Sequence, residues 1–283
     1  MSNLLQSCQA IKDVLMLQQL PLLERRMLLE FAFNKPRAWF ITHDDEKLDQ
    51  ATKDRLQGLF ERRLAGEPMA YIIGQREFMG LDFKVTPAVL IPRPETELLV
   101  ETALSFLETL QAQGVKNPRV LDIGTGSGII AISIKHYCST AEVVAVDLSA
   151  EALEVAKENA QTLASPIEFL LSDLFAGLDP AQHQFDLIVS NPPYIDRDDT
   201  HLEQGDVRFE PTMALTDYAD GLSLIARLIA EAPAFLKSSS ALWMEHGWDQ
   251  AAAIRALLKK NGFKAVESLK DLAAIERISG GLI

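Results

Sequence analysis

From Arg119 onward, short aliphatic runs alternate with segments of helical spacing, and this alternation limits the chain to a small set of folds. Arg119–Ile123, Val143–Val146, Ile167–Leu171, Phe185–Ser190 and Ala241–Met244 read as strands. Ile129–Tyr137, Ala150–Ala160, Leu222–Phe235 and Asp249–Asn261 read as helices between or after them. Strands joined through helices lie parallel, with the helices covering the faces of the sheet. The expected fold class is α/β, a doubly wound and mostly parallel sheet. Ala265–Ser268 and Ile275–Ser279 are expected to form a terminal hairpin pair at one edge.

Upstream the period changes. Within residues 1–66, Leu4, Leu5, Cys8, Ile11 and Leu15 mark one helical face, Leu22, Leu23, Met27, Leu28 and Phe31 a second, and Leu56, Leu59, Phe60 and Leu64 a third. Pro21, Asn34-Lys35-Pro36 and Thr42-His43-Asp44-Asp45 punctuate them. This predicts a small helical bundle without a nucleophile-base pair or a ligand cluster, suited to recognising a partner. Between Gly66 and Pro94, the β-like pieces Ala70–Ile73 and Asp82–Val85 are broken by Gly74, Gly80 and Pro87, which reads as a hairpin linker. Pro92-Arg93-Pro94-Glu95-Thr96-Glu97 then opens a helix through Leu98–Leu110, where Glu95 and Glu97 suit the helix dipole. The division expected is 1–70 helical, 71–91 linker and 92–283 doubly wound.

Two turns carry the chemistry. The first strand runs into Asp122-Ile123-Gly124-Thr125-Gly126-Ser127-Gly128, whose glycines let the backbone bend sharply and approach a ligand without an intervening Cβ. Gly126, Gly128 and Ala131 also satisfy a G-x-G-x-x-A dinucleotide fingerprint, and Asp147 after the next strand suits a ribose contact under either reading. The fourth strand runs into Asn191-Pro192-Pro193-Tyr194. An asparagine offers a carbonyl acceptor, and the prolines lack N–H groups and hold φ near −65°, which keeps local carbonyls free. Tyr194 adds a flat face. Such a turn suits an enzyme that grips an amide or exocyclic amine nitrogen.

Charge bears on partners. Residues 1–90 hold 12 Lys+Arg against 12 Asp+Glu, so the whole formal charge of −13 falls on the remainder. Asp196, Asp198, Asp199, Glu203 and Asp206 follow the tetrapeptide, where a groove tracking a phosphate backbone would need Lys and Arg. Direct nucleic-acid binding is therefore not expected. No segment approaches the ~20 apolar residues of a membrane span, and Met1-Ser2-Asn3-Leu4-Leu5-Gln6 lacks a basic leader, so a cytoplasmic location is the expectation. Cys8, on an apolar helix face, and Cys138, near a helix end, read as buried thiols without metal spacing.

The tight glycine spacing behind Asp122, with Ser172-Asp173-Leu174-Phe175 after the third strand, is similar to the layout of Rossmann-type S-adenosylmethionine-dependent methyltransferases. Further motifs stand in one order: Ile91-Pro-Arg-Pro-Glu-Thr-Glu97, Leu121-Asp-Ile-Gly-Thr-Gly-Ser-Gly128, Ile188-Val-Ser-Asn-Pro-Pro-Tyr-Ile195, Phe209-Glu-Pro211, Asp220-Gly-Leu222 and Glu245-His-Gly247. Over nearly the whole length the chain resembles the bacterial PrmC/HemK family, protein-(glutamine-N5) methyltransferases of class 1 peptide chain release factors. Asp271-Leu-Ala-Ala-Ile-Glu-Arg277 departs from the glycine- or asparagine-containing pattern expected before the final strand.

The resemblance implies S-adenosyl-L-methionine as cofactor, bound by Gly124, Thr125, Gly126, Ser127, Gly128, Asp147, Asp173, Leu174 and Asn191. Asp147 would accept from the ribose hydroxyls, and Asp173 and Leu174 would border the adenine. It implies Asn191, Pro192 and Tyr194 as catalytic, with Pro193 joining them in holding the substrate glutamine of a Gly-Gly-Gln motif, and no metal. The helical front end would dock the release factor, and the protein would act as a monomer away from membranes. An adenine-N6 or other nucleic-acid amino methyltransferase is the alternative, since it shares the tetrapeptide; a non-catalytic cofactor-binding regulator is a third reading. His246 is expected to be structural rather than a base, Glu210 to wall the pocket or brace a loop, and Trp243 and Trp248 to lie in the core.

Overall fold

The computed structural model describes residues 4–283; Met1, Ser2 and Asn3, which open the segment read as lacking a leader, lie outside them. The chain divides into two compact units between Gly74 and Gln75, so the hairpin read as a linker groups with the second. In the first unit, α1 (Ile11–Leu15), α2 (Leu22–Phe33), α3 (Arg37–Thr42), α4 (Gln50–Leu64) and α5 (Met69–Ile73) enclose Leu5, Cys8, Ile11, Val14, Leu28, Leu29, Leu56 and Phe60.

Two expectations are corrected there. The first apolar face does not form one helix: the Asp13 carboxylate accepts from the amides of Gln9 and Ala10 at 2.7 and 2.9 Å, which caps α1 and leaves Cys8 buried in the turn before it. Ala70–Ile73 is not a strand. The Pro68 carbonyl accepts from Tyr71 and Ile72, and Gly74 at φ +77° ends the turn of helix. Local hydrogen-bond supply outweighed β-branched composition.

In the second unit, β1 (Gln75–Phe78) and β2 (Leu81–Lys84) pair through Met79 and Gly80, both at positive φ, as a tight hairpin turn requires. Phe78 and Phe83 on this hairpin pack into the core with Leu99, Val100 and Ala103 of α6 (Glu97–Ala112). Then follow β3 (Arg119–Ile123), α7 (Ile129–Tyr137), β4 (Glu142–Asp147), α8 (Ala150–Thr162), β5 (Glu168–Leu171) and β6 (Phe185–Ser190). The chain closes with α9 (Ser223–Glu231), β7 (Leu236–Glu245), α10 (Ala251–Lys260), β8 (Lys264–Lys270) and β9 (Glu276–Leu282). The helix expected through Phe235 tightens into a 3-10 turn over Ala232–Phe235, where Pro233 supplies no N–H.

The seven strands lie in the order β5-β4-β3-β6-β7-β9-β8, parallel except for β9, which runs antiparallel to both neighbours. This is the doubly wound sheet expected. The terminal pair does form, with β9 between β7 and β8. Trp243 is buried against Gly280 of β9, where an added Cβ would lie 2.3 Å from the indole; Trp248, by contrast, is 71% exposed, because it falls in the turn beyond β7, and the core expectation for it is corrected. Among the described residues no helix is long and apolar enough to cross a membrane.

Candidate active site

Strand order reverses between β3 and β6, and in open α/β sheets such a switch point leaves a crevice outside the carboxyl ends of the strands. Register brings the ends together: Ile123 pairs with Ser190, and Ser190 with Met244. The Ser190 hydroxyl donates to the Ile123 carbonyl at 2.8 Å. The glycine turn, the tetrapeptide and Glu245 therefore emerge side by side.

Gly124, Gly126 and Gly128 adopt φ of +74°, +56° and +85°, a region closed to most side chains. The loop is braced from within. The Thr125 hydroxyl and the Ala131 amide donate to Asp122 Oδ2 at 2.7 and 3.3 Å, while buried Oδ1 has no partner. Burial pushes this carboxyl up to about 7. A raised carboxyl favours folding below its unfolded value of 3.8, and that contribution is lost as pH rises toward 7. Asp122→Asn, a neutral isostere, is expected to flatten the fall in thermal stability between about pH 4 and 7, a difference of order a few kcal/mol. Melting curves across that range check it; unchanged slopes would refute an acid held neutral by burial.

Asp147 accepts from the Gly126 amide at 2.8 Å through Oδ2 and from the Ser149 amide at 2.9 Å through Oδ1, and burial raises its carboxyl despite both bonds. Ser149 itself caps α8, accepting from the Ala152 amide at 3.1 Å, so Asp147 is not that helix's cap. Ser127 is buried, its carbonyl accepting from Asn159 at 2.9 Å. Gly128 opens α7, where a Cβ would come 2.8 Å from Ile132. Thr125, Ser127 and Gly128 thus shape the loop from behind.

In front of it lies a cavity of about 390 Å³. Gly124, Gly126, Asp147, Asp173, Leu174, Pro192 and Pro193 all line it; Thr125, Ser127, Gly128, Asn191 and Tyr194 do not. Leu174 sits at φ +49°, held by the Ser172 hydroxyl donating to its carbonyl at 2.7 Å. Asp173 pairs with Arg227 of α9 at 3.2 Å, a cavity residue that no sequence signal marked.

The tetrapeptide is held by residues that do not themselves line this cavity. Asn191 Nδ2 donates to Thr96 Oγ1 at 3.1 Å, and no hydrogen bond among the described residues reaches Asn191 Oδ1 or the Pro192 carbonyl. The Tyr194 hydroxyl donates to Glu245 Oε1 at 3.3 Å; burial, then the Glu245 charge, raises the phenol above its ordinary value. Gln250 Nε2 donates to the Tyr194 and Gly221 carbonyls at 3.0 and 3.1 Å while its Oε1 accepts from the Gly247 amide at 2.8 Å. Sequence reasoning missed Thr96, Glu245 and Gln250 as supports. The first two stand inside motifs noted for other reasons, and Gln250 carries no signal at all.

Other candidates resolve into bracing. Glu210 is buried, accepting from Arg93 at 2.5 Å and from the Ile91 amide at 3.2 Å, and burial raises its carboxyl more than Arg93 lowers it. Of the two roles expected, loop brace fits. His246 is fully buried; Nδ1 lies 2.8 Å from the Gly247 carbonyl and Nε2 2.8 Å from the Ser279 hydroxyl, and burial lowers its pKa. A neutral ring donating from Nδ1 satisfies both contacts, which makes it a joint between β7 and β9. Among the described residues no three His, Cys, Asp or Glu side chains gather as for a metal.

Comparison with known proteins adds an independent line. Residues 9–74 match the PrmC N-terminal domain family and residues 99–208 the methyltransferase small domain family. A release factor glutamine methyltransferase of Bordetella pertussis is 55% identical over 96% of this chain and 99% of its own length. One from Burkholderia pseudomallei is 51% identical, covering 95% and 94%. In structure, a Pyrococcus furiosus methyltransferase aligns with 78% of this chain and 95% of its own at a TM-score of 0.52 and 19% identity, which shows a shared fold. With two domain families in order and relatives above half identity end to end, the chain belongs to the release factor glutamine methyltransferase family.

Proposed function

We propose that this chain transfers a methyl group from S-adenosyl-L-methionine to the side-chain nitrogen (N5) of the glutamine in the Gly-Gly-Gln motif of class 1 peptide chain release factors. The observation that carries the reading is the orientation of Asn191: its NH2 donates to Thr96, and no hydrogen bond among the described residues occupies Oδ1 or the Pro192 carbonyl at the end of β6. A carboxamide has two N–H bonds and a lone pair delocalised into its carbonyl. Two acceptors gripping both N–H bonds orient the lone pair and favour the positive charge that grows on nitrogen before a proton leaves. Pro192 and Pro193 keep this turn rigid, and the Tyr194 ring shapes its far side. Alignment of two held reactants supplies up to about 7–11 kcal/mol of barrier lowering in favourable cases.

The cofactor, when bound, supplies an electrophilic sulfonium methyl. The residues present fit it. The cavity is large enough for a nucleoside, Gly124 and Gly126 offer backbone without side chains, and Asp147 presents a carboxylate for hydroxyls. Asp173 and Leu174 would border the base. Asn191 would stand between cofactor and glutamine. The first unit would dock the release factor, with the chain acting as a monomer in the cytoplasm. Exposed Asp196, Asp198, Asp199, Glu203 and Asp206 speak against a nucleic-acid substrate.

Incubating the purified protein with S-adenosyl-L-methionine and unmodified release factor should add one methyl group to the motif glutamine, read by mass spectrometry of peptides. Binding of the cofactor without transfer to that residue would sink the reading.

A further inference from the structure

We infer that Glu245 is a positioning residue of the methyl-transfer site, its buried carboxyl fixing Tyr194 and, beside the Thr96 hydroxyl, the wall against which Asn191 is oriented. The inference rests on the reading given above and assigns a role to a residue outside the acceptor turn.

Glu245 is 2% exposed at the last position of β7, paired in register with Ile278 of β9. Oε1 accepts from the Tyr194 hydroxyl, and Oε2 has no hydrogen-bond partner although it is buried. Thr96 is itself fully buried and accepts from Asn191 Nδ2, and its hydroxyl is among the groups that favour ionisation of this carboxyl. Tyr194 thus leads directly to this carboxyl, while Asn191 is held by Thr96, whose hydroxyl favours the carboxyl's ionised form.

Stability does not account for such a group. A buried carboxyl with an unpaired oxygen is costly, and an apolar side chain of similar size would fill the place more cheaply. Burial pushes Glu245 up to about 7; the Thr96 and Tyr194 hydroxyls and Arg277 pull it down, and Glu95 raises it further. What the carboxyl supplies is an acceptor at one point, and the hydroxyl is the one polar group by which a tyrosine ring can be tethered, so this bond fixes where the far end of the ring points. Gln250 fixes the backbone of the same residue through its carbonyl. Ring and backbone of Tyr194 are therefore each tied once, from β7 and from the turn before α10.

Glu245→Ala is expected to lower kcat about 10- to 100-fold with KM for the release factor and cofactor affinity within about threefold, the pattern of displaced rather than lost groups. Glu245→Gln, which keeps an acceptor, should recover kcat to within about threefold of the unsubstituted protein. Tyr194→Phe should lose the same factor as Glu245→Ala, and the pair together no more than the worse single change. Unchanged kcat in Glu245→Ala or in Tyr194→Phe, or failure of glutamine to rescue, would overturn the inference. The contact is also read without turnover, from the ring resonance of Tyr194 in protein carrying ¹³C-labelled tyrosine. A shift on Glu245→Gln supports the contact; an unmoved resonance overturns it, whether or not the protein methylates a release factor. Failure of transfer by the unsubstituted protein alone would count against the proposed function instead.

Discussion

Asn191→Ala is expected to lower kcat for glutamine methylation by about 100- to 1,000-fold, the scale at which removing one preorganised hydrogen-bond partner of a developing charge is felt. Cofactor affinity should change far less, because Asn191 does not line the cavity while Gly124, Gly126 and Asp147 do. Asn191→Asp should fail in a different way. It retains an acceptor but turns a carboxylate toward Thr96 Oγ1, which now accepts from Nδ2, so the hydroxyl must rotate to donate. Steady-state kinetics with release factor, set beside calorimetric cofactor binding, separate the two effects. Should Asn191→Ala transfer methyl at the unsubstituted rate, the acceptor role of the tetrapeptide would be lost, whatever the cofactor does.

Gly221→Ala should damage both stability and transfer. At this position φ is +73°, and an added Cβ would stand 2.3 Å from the Tyr194 carbonyl oxygen and 2.9 Å from its carbon. Neither neighbour is the loose end of a side chain. The carbonyl is backbone and already accepts from Gln250 at 3.0 Å, so relief requires moving the acceptor turn or breaking its tie. Left-handed strain and steric overlap together are expected to destabilise the fold by about 2–4 kcal/mol. A turn displaced by about 1 Å loses on the order of 100-fold in kcat. Denaturant unfolding and kcat should fall together; a stable, fully active variant would show that nothing clamps the turn there. Gly221 lies in Asp220-Gly-Leu222, well separated in sequence from Tyr194, and its closeness to the turn is a product of folding alone.

That contrast recurs through the chain. β6 reads from the sequence to the residue, because all six positions from Phe185 to Ser190 are buried and Asp186, the one charged residue among them, pairs with the Arg119 amide and Lys237 at 2.7 and 2.6 Å. α7 reads equally well, opening at a left-handed glycine and carrying six buried residues. α5 does not, since the same apolar composition serves a strand or a turn of helix, and Pro68 and Gly74 decide between them. Trp248 shows the limit for single residues: the type favours burial, but the turn after β7 turns it to solvent.

Periodicity, the two glycine- and proline-shaped turns and their order along the chain were sufficient to determine the parallel sheet and the strand ends at which those turns stand. Their physical basis is local: apolar spacing, φ preferences and missing N–H groups act within a few residues. What only tertiary structure decided is which way the groups in those turns face. Thr96, Glu245, Gln250 and Gly221 reach Asn191 and Tyr194 from four separate segments, and hydrogen bonds between distant segments leave no period or spacing to read.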